Sequence, residues 1–266
     1  MDAKPNFIIF LLKIIMQSIK NAISPELILW VKDKGKEISE LGWIETKRKG
    51  NTGIGYTYEH LLDIKENNSQ DADIEGQIEV KSHRLPSKSM LTLFTYSPKG
   101  VIPILLHNFG QINSKGYKTL HTTVRANKLN SYKKMYGFKT SVNFISKSVN
   151  LEVICLKTGS ILLCEHLYEF REIEMLVRKI EYTLLVGADK LNSNGIEKFK
   201  YQEPRLLRLK SFENFVRLLN EGVICLDIRV GTYTSGKRLG LPHDHGTGFR
   251  IHHRHLDSLF EEYQYE

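Results

Sequence analysis

Asp71-Ala72-Asp73-Ile74-Glu75-Gly76-Gln77-Ile78-Glu79-Val80-Lys81 is the stretch on which the reading of this chain turns. Ile74 to His83 alternates around Ile78 and Val80, as a strand with one buried face does. Glu79 and Lys81 then share the opposite face. Asp73 lies six residues before Glu79, roughly 20 Å away on a straight strand. One ion cannot touch both carboxylates at that separation. Gly76 lies between them and reaches backbone conformations that other residues avoid, so it is the expected bend that returns Asp73 to Glu79.

Two carboxylates and an ammonium together suit phosphodiester hydrolysis. Carboxylates hold a hard cation through oxygen. Such a cation polarises a phosphate and acidifies a bound water. A lysine beside it orients that water or offsets developing charge. Oxygen ligands, few in number, point to Mg²⁺. An E-x-K pair on a strand is by itself more often a solvated face carrying an ion pair, so the case depends on its surroundings. Upstream, Lys47-Arg48-Lys49-Gly50-Asn51-Thr52-Gly53-Ile54-Gly55 is a basic, glycine-rich loop, and Tyr56 to Ile64 reads as a helix. Glu59 on that helix is a third carboxylate leading toward Asp73. The loop is not a nucleotide-phosphate loop, since no Gly-Lys-Ser/Thr follows it and no strand precedes it.

The composition agrees with a polyanionic partner. The chain has 266 residues, 41% of them hydrophobic, and a formal net charge of +8. That charge favours nucleic acid first and a membrane surface second. The odd count of three cysteines, with no C-x-x-C pair, argues against a disulfide framework or Cys₄ zinc site and for a cytoplasmic location. The run Phe7–Leu12 lacks a cleavage site and is too short and interrupted to span a bilayer. Residues 1–25 are therefore expected to be a helical extension, with the main domain over 26–266.

The remaining elements read as a mixed α/β protein with a central sheet and β-rich insertions forming a second lobe. Helices are expected at 26–43, 167–179 and 212–220. Strands are expected at 91–96, 120–125, 144–145, 151–156, 161–163, 180–186 and 223–230, with a partly helical end at 249–265.

Two further groups point to DNA. His243, His245 and Asp244 precede Arg250, and Asp227 precedes Arg229. A zinc site from these with His252, His253 and His255 is disfavoured, because no cysteine is near and H-x-H is common without metal. Histidine and arginine suit guanine edges and aspartate suits cytosine N4. The competing reading is structural ion pairing, Asp227 with Arg229 and Asp244 with Arg250. Lys47, Arg48, Lys49, Arg84, Lys88 and Lys99 flank the catalytic stretch. Lys118, Arg125, Lys128, Lys133, Lys134 and Lys139 form a second basic stretch, and both groups suit phosphates.

The blocks 50–59 and 73–81, followed by Leu226-Asp227-Ile228-Arg229 and His243–Arg250, resemble the MvaI/BcnI restriction endonucleases over about residues 43–255. These sit with the nicking enzyme MutH in the PD-(D/E)xK nuclease fold. The resemblance implies a catalytic core around 43–100 and recognition segments around 112–140 and 223–255. It implies that Glu59, Asp73 and Glu79 ligate the metal and that Lys81 completes the site. It further implies a monomer that cuts double-stranded DNA at a short, C/G-rich, nearly palindromic site, one strand at a time, with a DNA methyltransferase as genetic partner. The alternatives are a MutH-like nickase in repair and a non-catalytic DNA-binding module. Ala72 stands where the fold's name has proline, a position with no chemical role.

Overall fold

The computed structural model describes residues 23–65, 71–86, 89–98 and 100–263. The Phe7–Met16 run, Lys88 and Lys99 lie outside these residues. Among the described residues no helix is long and apolar enough to cross a membrane.

The first helix, α1 (Pro25–Glu40), starts where Ser24 accepts a hydrogen bond from the Leu27 amide, with proline in its first turn. It ends before 43 because Gly42, at φ 74°, breaks the helical path. After β1 (Ile44–Glu45) comes α2 (Gly53–Leu61). Ile54, Tyr58 and Leu62, spaced at i and i+4, bury its inner face. They share a core with Ile78 and Val80 of β2 (Ile78–Arg84) and with Val31 and Ile38 of α1.

The first sheet is built on β9 (Tyr182–Ser193). The strand β2 runs parallel along one side of it, with Glu79 opposite Thr183. Along the other side run β10 (Ile196–Tyr201) and β11 (Arg205–Leu209), both antiparallel to β9. The strand β1 then extends the sheet beyond β10, and β15 (Phe260–Glu262) extends it beyond β11. Residues of β9 alternate between two cores. Leu184, Val186 and Ala188 face α1 and α2, and Leu185 faces the larger core.

The second sheet is antiparallel. Its order is β3 (Met90–Thr95), β14 (Gly248–His252), β12 (Ile224–Thr232), β5 (Lys118–Val124) and β4 (Gln111–Ile112), with β13 (Pro242–Asp244) also on β12. The third contains β6 (Tyr136–Asn143), β7 (Ser148–Cys155) and β8 (Ile161–Glu169). The helices α3 (Ile102–Phe109), α4 (Phe170–Val177), α5 (Phe212–Asn220) and α6 (Leu256–Leu259) pack their apolar faces into the core of these sheets.

Several expectations are corrected. Phe144 and Ile145 form the β6–β7 turn, with Ile145 97% exposed, because Asn143 accepts hydrogen bonds from the amides of Ile145 and Ser146. The helix expected at 167–179 begins at Phe170. Residues 167–169 continue β8, and Glu169 and Glu172 form a capping box that fixes the start. The strand expected from Ile74 begins at Ile78, because Glu75 and Gly76 take positive φ and turn the chain.

Candidate active site and DNA-facing cleft

The bend at Gly76 sets the geometry of the candidate site. Glu75 has φ 51° and Gly76 φ 70°. The amide of Ile74 donates to the carbonyl of Ile78, and the amide of Ile78 donates back. This tight loop folds Asp73 over the start of β2, where its Oδ2 accepts from the Val80 amide at 2.9 Å. The straight-strand separation is thereby cancelled. Asp73 lies close enough to Glu79 that its charge raises the Glu79 pKa.

Glu79 is 5% exposed, a rare location for a carboxylate. Lys81 Nζ donates to its Oε1 at 2.5 Å. A second cation, Lys179 Nζ, stands 3.4 Å from Oε2. That oxygen is buried without a hydrogen bond. Burial first, and then Asp73, pushes the carboxyl up from its ordinary range, against the opposing pull of both lysines.

Two hard oxygen donors held together, one with an unsatisfied buried oxygen, fit a divalent cation that takes its other ligands from water and phosphate. Glu59 is half-buried on α2, on the flank of the face carrying Ile54 and Tyr58. It is not gathered with the other two, since no set of three His, Cys, Asp or Glu side chains among the described residues is placed to hold an ion. The reason is local: Asp73 and Glu79 are tied together by the Gly76 turn, whereas Glu59 belongs to a separate helix.

The basic loop is held against the same strand. Arg84 of β2 donates to the carbonyls of Gly50 and Asn51 and pairs with Glu197 of β10. This ties Arg84 to the fold. Arg48 lies over the Tyr56 ring, 3.7 Å from its centroid, while Lys47 and Lys49 are exposed. Gly53 lets the helix approach the loop, for a Cβ there would stand 2.2 Å from the Arg48 carbonyl oxygen.

On the second sheet, β12 turns Leu226, Ile228 and Val230 into the core and Asp227 and Arg229 outward. Asp227 accepts from Arg229 Nε at 2.8 Å, Arg250 Nη1 at 2.9 Å and Thr123 Oγ1 at 2.9 Å. The Asp227–Arg229 ion pair is therefore real, yet the Arg229 side chain stays 44% exposed. Arg250, only 18% exposed, also donates to the Met90 carbonyl. Asp244 does not pair with Arg250. Its carboxylate accepts from the backbone amide and hydroxyl of Thr247, closing the turn before β14.

His243 and His245 meet at a centroid distance of 4.7 Å, and Tyr233 stacks on His243 at 4.1 Å. The His245 ring lies over Gly231, where a Cβ would come within 2.5 Å of its Nε2. Burial, then His243 and His121, lower the His245 pKa and favour its neutral form. An open cleft of about 500 Å³ is lined by His121, Thr123, Asp227, Arg229, His245 and Arg250 among others. Of these, His121 and Thr123 carried no sequence signal, because they join the cleft only through the pairing of β5 with β12. Lys179 was equally silent, being brought to Glu79 by the turn before β9.

A model of the MvaI/BcnI restriction endonuclease family matches residues 33–260. The chain belongs to that family. Membership makes it a type II site-specific DNA endonuclease of the PD-(D/E)xK-like α/β fold. The structure of the MvaI–cognate DNA complex is similar at 34% identity and a TM-score of 0.82, over 91% of this chain and 99% of that one. MvaI without DNA is similar at 31% identity and 0.57, over 91% of this chain and 98% of that one. No curated protein matches. The arrangement of this endonuclease is thus nearer to the DNA-bound relative than to the free one.

Proposed function

We propose that this endonuclease hydrolyses phosphodiester bonds of double-stranded DNA at a centre made of Asp73, Glu79 and Lys81, with Mg²⁺ as the cofactor. The observation carrying this is the Gly76 turn, which folds Asp73 onto the Val80 amide beside Glu79. Asp73 and Glu79 would hold the ion, with Glu59 on α2 as the third carboxylate proposed for the site. When bound, the ion supplies Lewis acidity to the phosphate and to a water. Lys81 binds a phosphate oxygen or the attacking water from its place on the Glu79 face, and offsets the charge that develops there. The Val80 amide keeps the Asp73 carboxylate aimed throughout.

Reading of sequence falls to Asp227, Arg229, Arg250, His243 and His245. Asp227 holds two guanidinium groups at one oxygen, and both arginines line the same cleft, where guanidinium groups suit guanine edges. Asp244 supports this surface by closing the turn that carries His245. Lys47, Arg48 and Lys49 hold phosphates next to the catalytic strand. The target is a short, C/G-rich, nearly palindromic site, cut by a monomer in the cytoplasm, with a DNA methyltransferase protecting the host's own copies.

Incubating supercoiled plasmid with the protein in Mg²⁺, and in parallel in EDTA, tests this reading. Linear fragments with one fixed end sequence are expected in Mg²⁺ only. Accumulation of nicked circles without linear product would turn the reading to a repair-type nickase. Equal cutting in EDTA would remove the metal from it.

A further inference from the structure

Lys179 lies outside the catalytic stretch, yet it is built into the site. It belongs to the short 3-10 turn Arg178–Ile180 between α4 and β9. Val177 and Ile180 on either side are 2% and 1% exposed, and Thr183 Oγ1 donates to the Ile180 carbonyl. The turn is thus clamped, and β9 continues from it with Thr183 opposite Glu79. The lysine reaches Oε2 of Glu79, while Lys81 takes Oε1. The two cations divide one buried carboxylate, but only Lys81 makes a hydrogen bond. The 3.4 Å contact to Oε2 is an ion pair without hydrogen-bond geometry. The oxygen best placed to exchange its partner is therefore Oε2.

We infer that Lys179 is a positioning residue that stands in for the divalent ion at Glu79, neutralising Oε2 before the metal arrives and yielding that oxygen to it. The inference rests on Glu79 being a metal ligand. It follows that Lys179 and the ion compete for one place. Removing the lysine leaves a buried carboxylate short of positive charge, and the divalent ion then fills the deficit. The variant should therefore bind metal more tightly while being less stable without it. Arginine, which keeps the charge, should preserve both properties.

The test uses the whole protein and Mn²⁺ as the probe, with free Mn²⁺ counted by electron paramagnetic resonance and thermal melts run in EDTA and in saturating Mn²⁺. Lys179→Met should bind Mn²⁺ about fivefold or more tightly than wild type, the scale for removing a unit charge a few ångströms from a divalent ion under near-aqueous screening. Its melting temperature should fall in EDTA and recover in Mn²⁺, since ligand binding to the folded state restores stability. Lys179→Arg should match wild type in both. Glu79→Gln should bind Mn²⁺ weakly, and adding Lys179→Met to it should change nothing. Unchanged or weaker Mn²⁺ binding by Lys179→Met, with Glu79→Gln impaired, overturns the placeholder role alone. Undiminished Mn²⁺ binding by Glu79→Gln instead overturns the reading of Glu79 as a ligand, and the inference with it.

Discussion

Asp227→Ala removes the one carboxylate to which Arg229, Arg250 and Thr123 all donate. Two consequences of different size follow. Breaking a buried ion pair typically costs about 3–5 kcal/mol, because the partner is left charged and unpaired. Here Arg229 is 44% exposed and returns to water, whereas Arg250 is 18% exposed and keeps only the Met90 carbonyl. A loss of about 2–4 kcal/mol is the fitting range after that discount. For a chain of this size it lowers Tm by roughly 5–15 °C. The effect on recognition is separate. Both guanidinium groups lose their aim, and each bidentate base contact discriminates by about 1–3 kcal/mol. Cognate binding should weaken about 30- to 20,000-fold, with 1.4 kcal/mol for each factor of ten. The assay is binding in Ca²⁺ to cognate and scrambled duplexes, at a temperature well below the variant's melt. Scrambled DNA should lose only a few-fold. Equal loss on the two duplexes would mean that the arginines hold backbone or fold, and the reading surface would have to be sought elsewhere.

Three other perturbations probe other parts of the account. Gly76→Ala meets no steric obstacle, its Cβ standing 3.8 Å from that of Asp71, so its cost is the backbone conformation alone, about 1–2 kcal/mol. Tm should drop by a few degrees and Gly76→Asn should drop less, whereas an unchanged melt for Ala would refute the strained turn. Replacing Lys47, Arg48 and Lys49 by glutamate should weaken binding to cognate and scrambled DNA alike and flatten the dependence of log K on log salt; a selective loss on the cognate duplex would contradict a phosphate role. His253 packs against His83 with tilted rings 4.2 Å apart, and burial, then His83, lowers its pKa from 6.5 to about 4. The unfolded chain takes up that proton first, so stability should fall as pH drops from 6.5 toward 4, and His253→Phe should flatten the fall in urea midpoints. An equally steep profile in the variant would dismiss the pair.

How much of this was legible in the sequence depended on the range of the interaction. The alternation around Ile78 and Val80 marks the strand of the candidate site, and Gly76 marks the bend, because both are local properties of backbone and side chain. Phe212–Asn220 was legible for the same reason, with Ser211 accepting from the Asn214 amide and Phe215 and Leu219 at helical spacing. Asn194-Gly195, at φ 53° and 77°, is an equally local hairpin signal, and it joins β9 to β10, a strand the reading left out. Ile145 is hydrophobic yet exposed, because the Asn143 turn rather than hydrophobicity decides its place. The sites' outer members were beyond reach. Lys179 reaches Glu79 through the parallel pairing of β2 with β9, and His121 reaches Arg229 through β5 with β12. Pairings of that range leave no period in a single sequence. The Asp227–Arg229 pair, the structural alternative to base reading, is present, and it leaves the Arg229 side chain 44% exposed.

The most direct test of the central claim is single-turnover cleavage of a cognate duplex by Glu79→Ala in Mg²⁺, alongside binding of the same duplex in Ca²⁺ by fluorescence anisotropy. Loss of a metal-holding carboxylate should slow the chemical step about a thousandfold or more. Binding should remain within roughly tenfold of wild type, because Glu79 faces the ion and not the bases. Cleavage at the wild-type rate would contradict the assignment of Asp73, Glu79 and Lys81 as the hydrolytic centre.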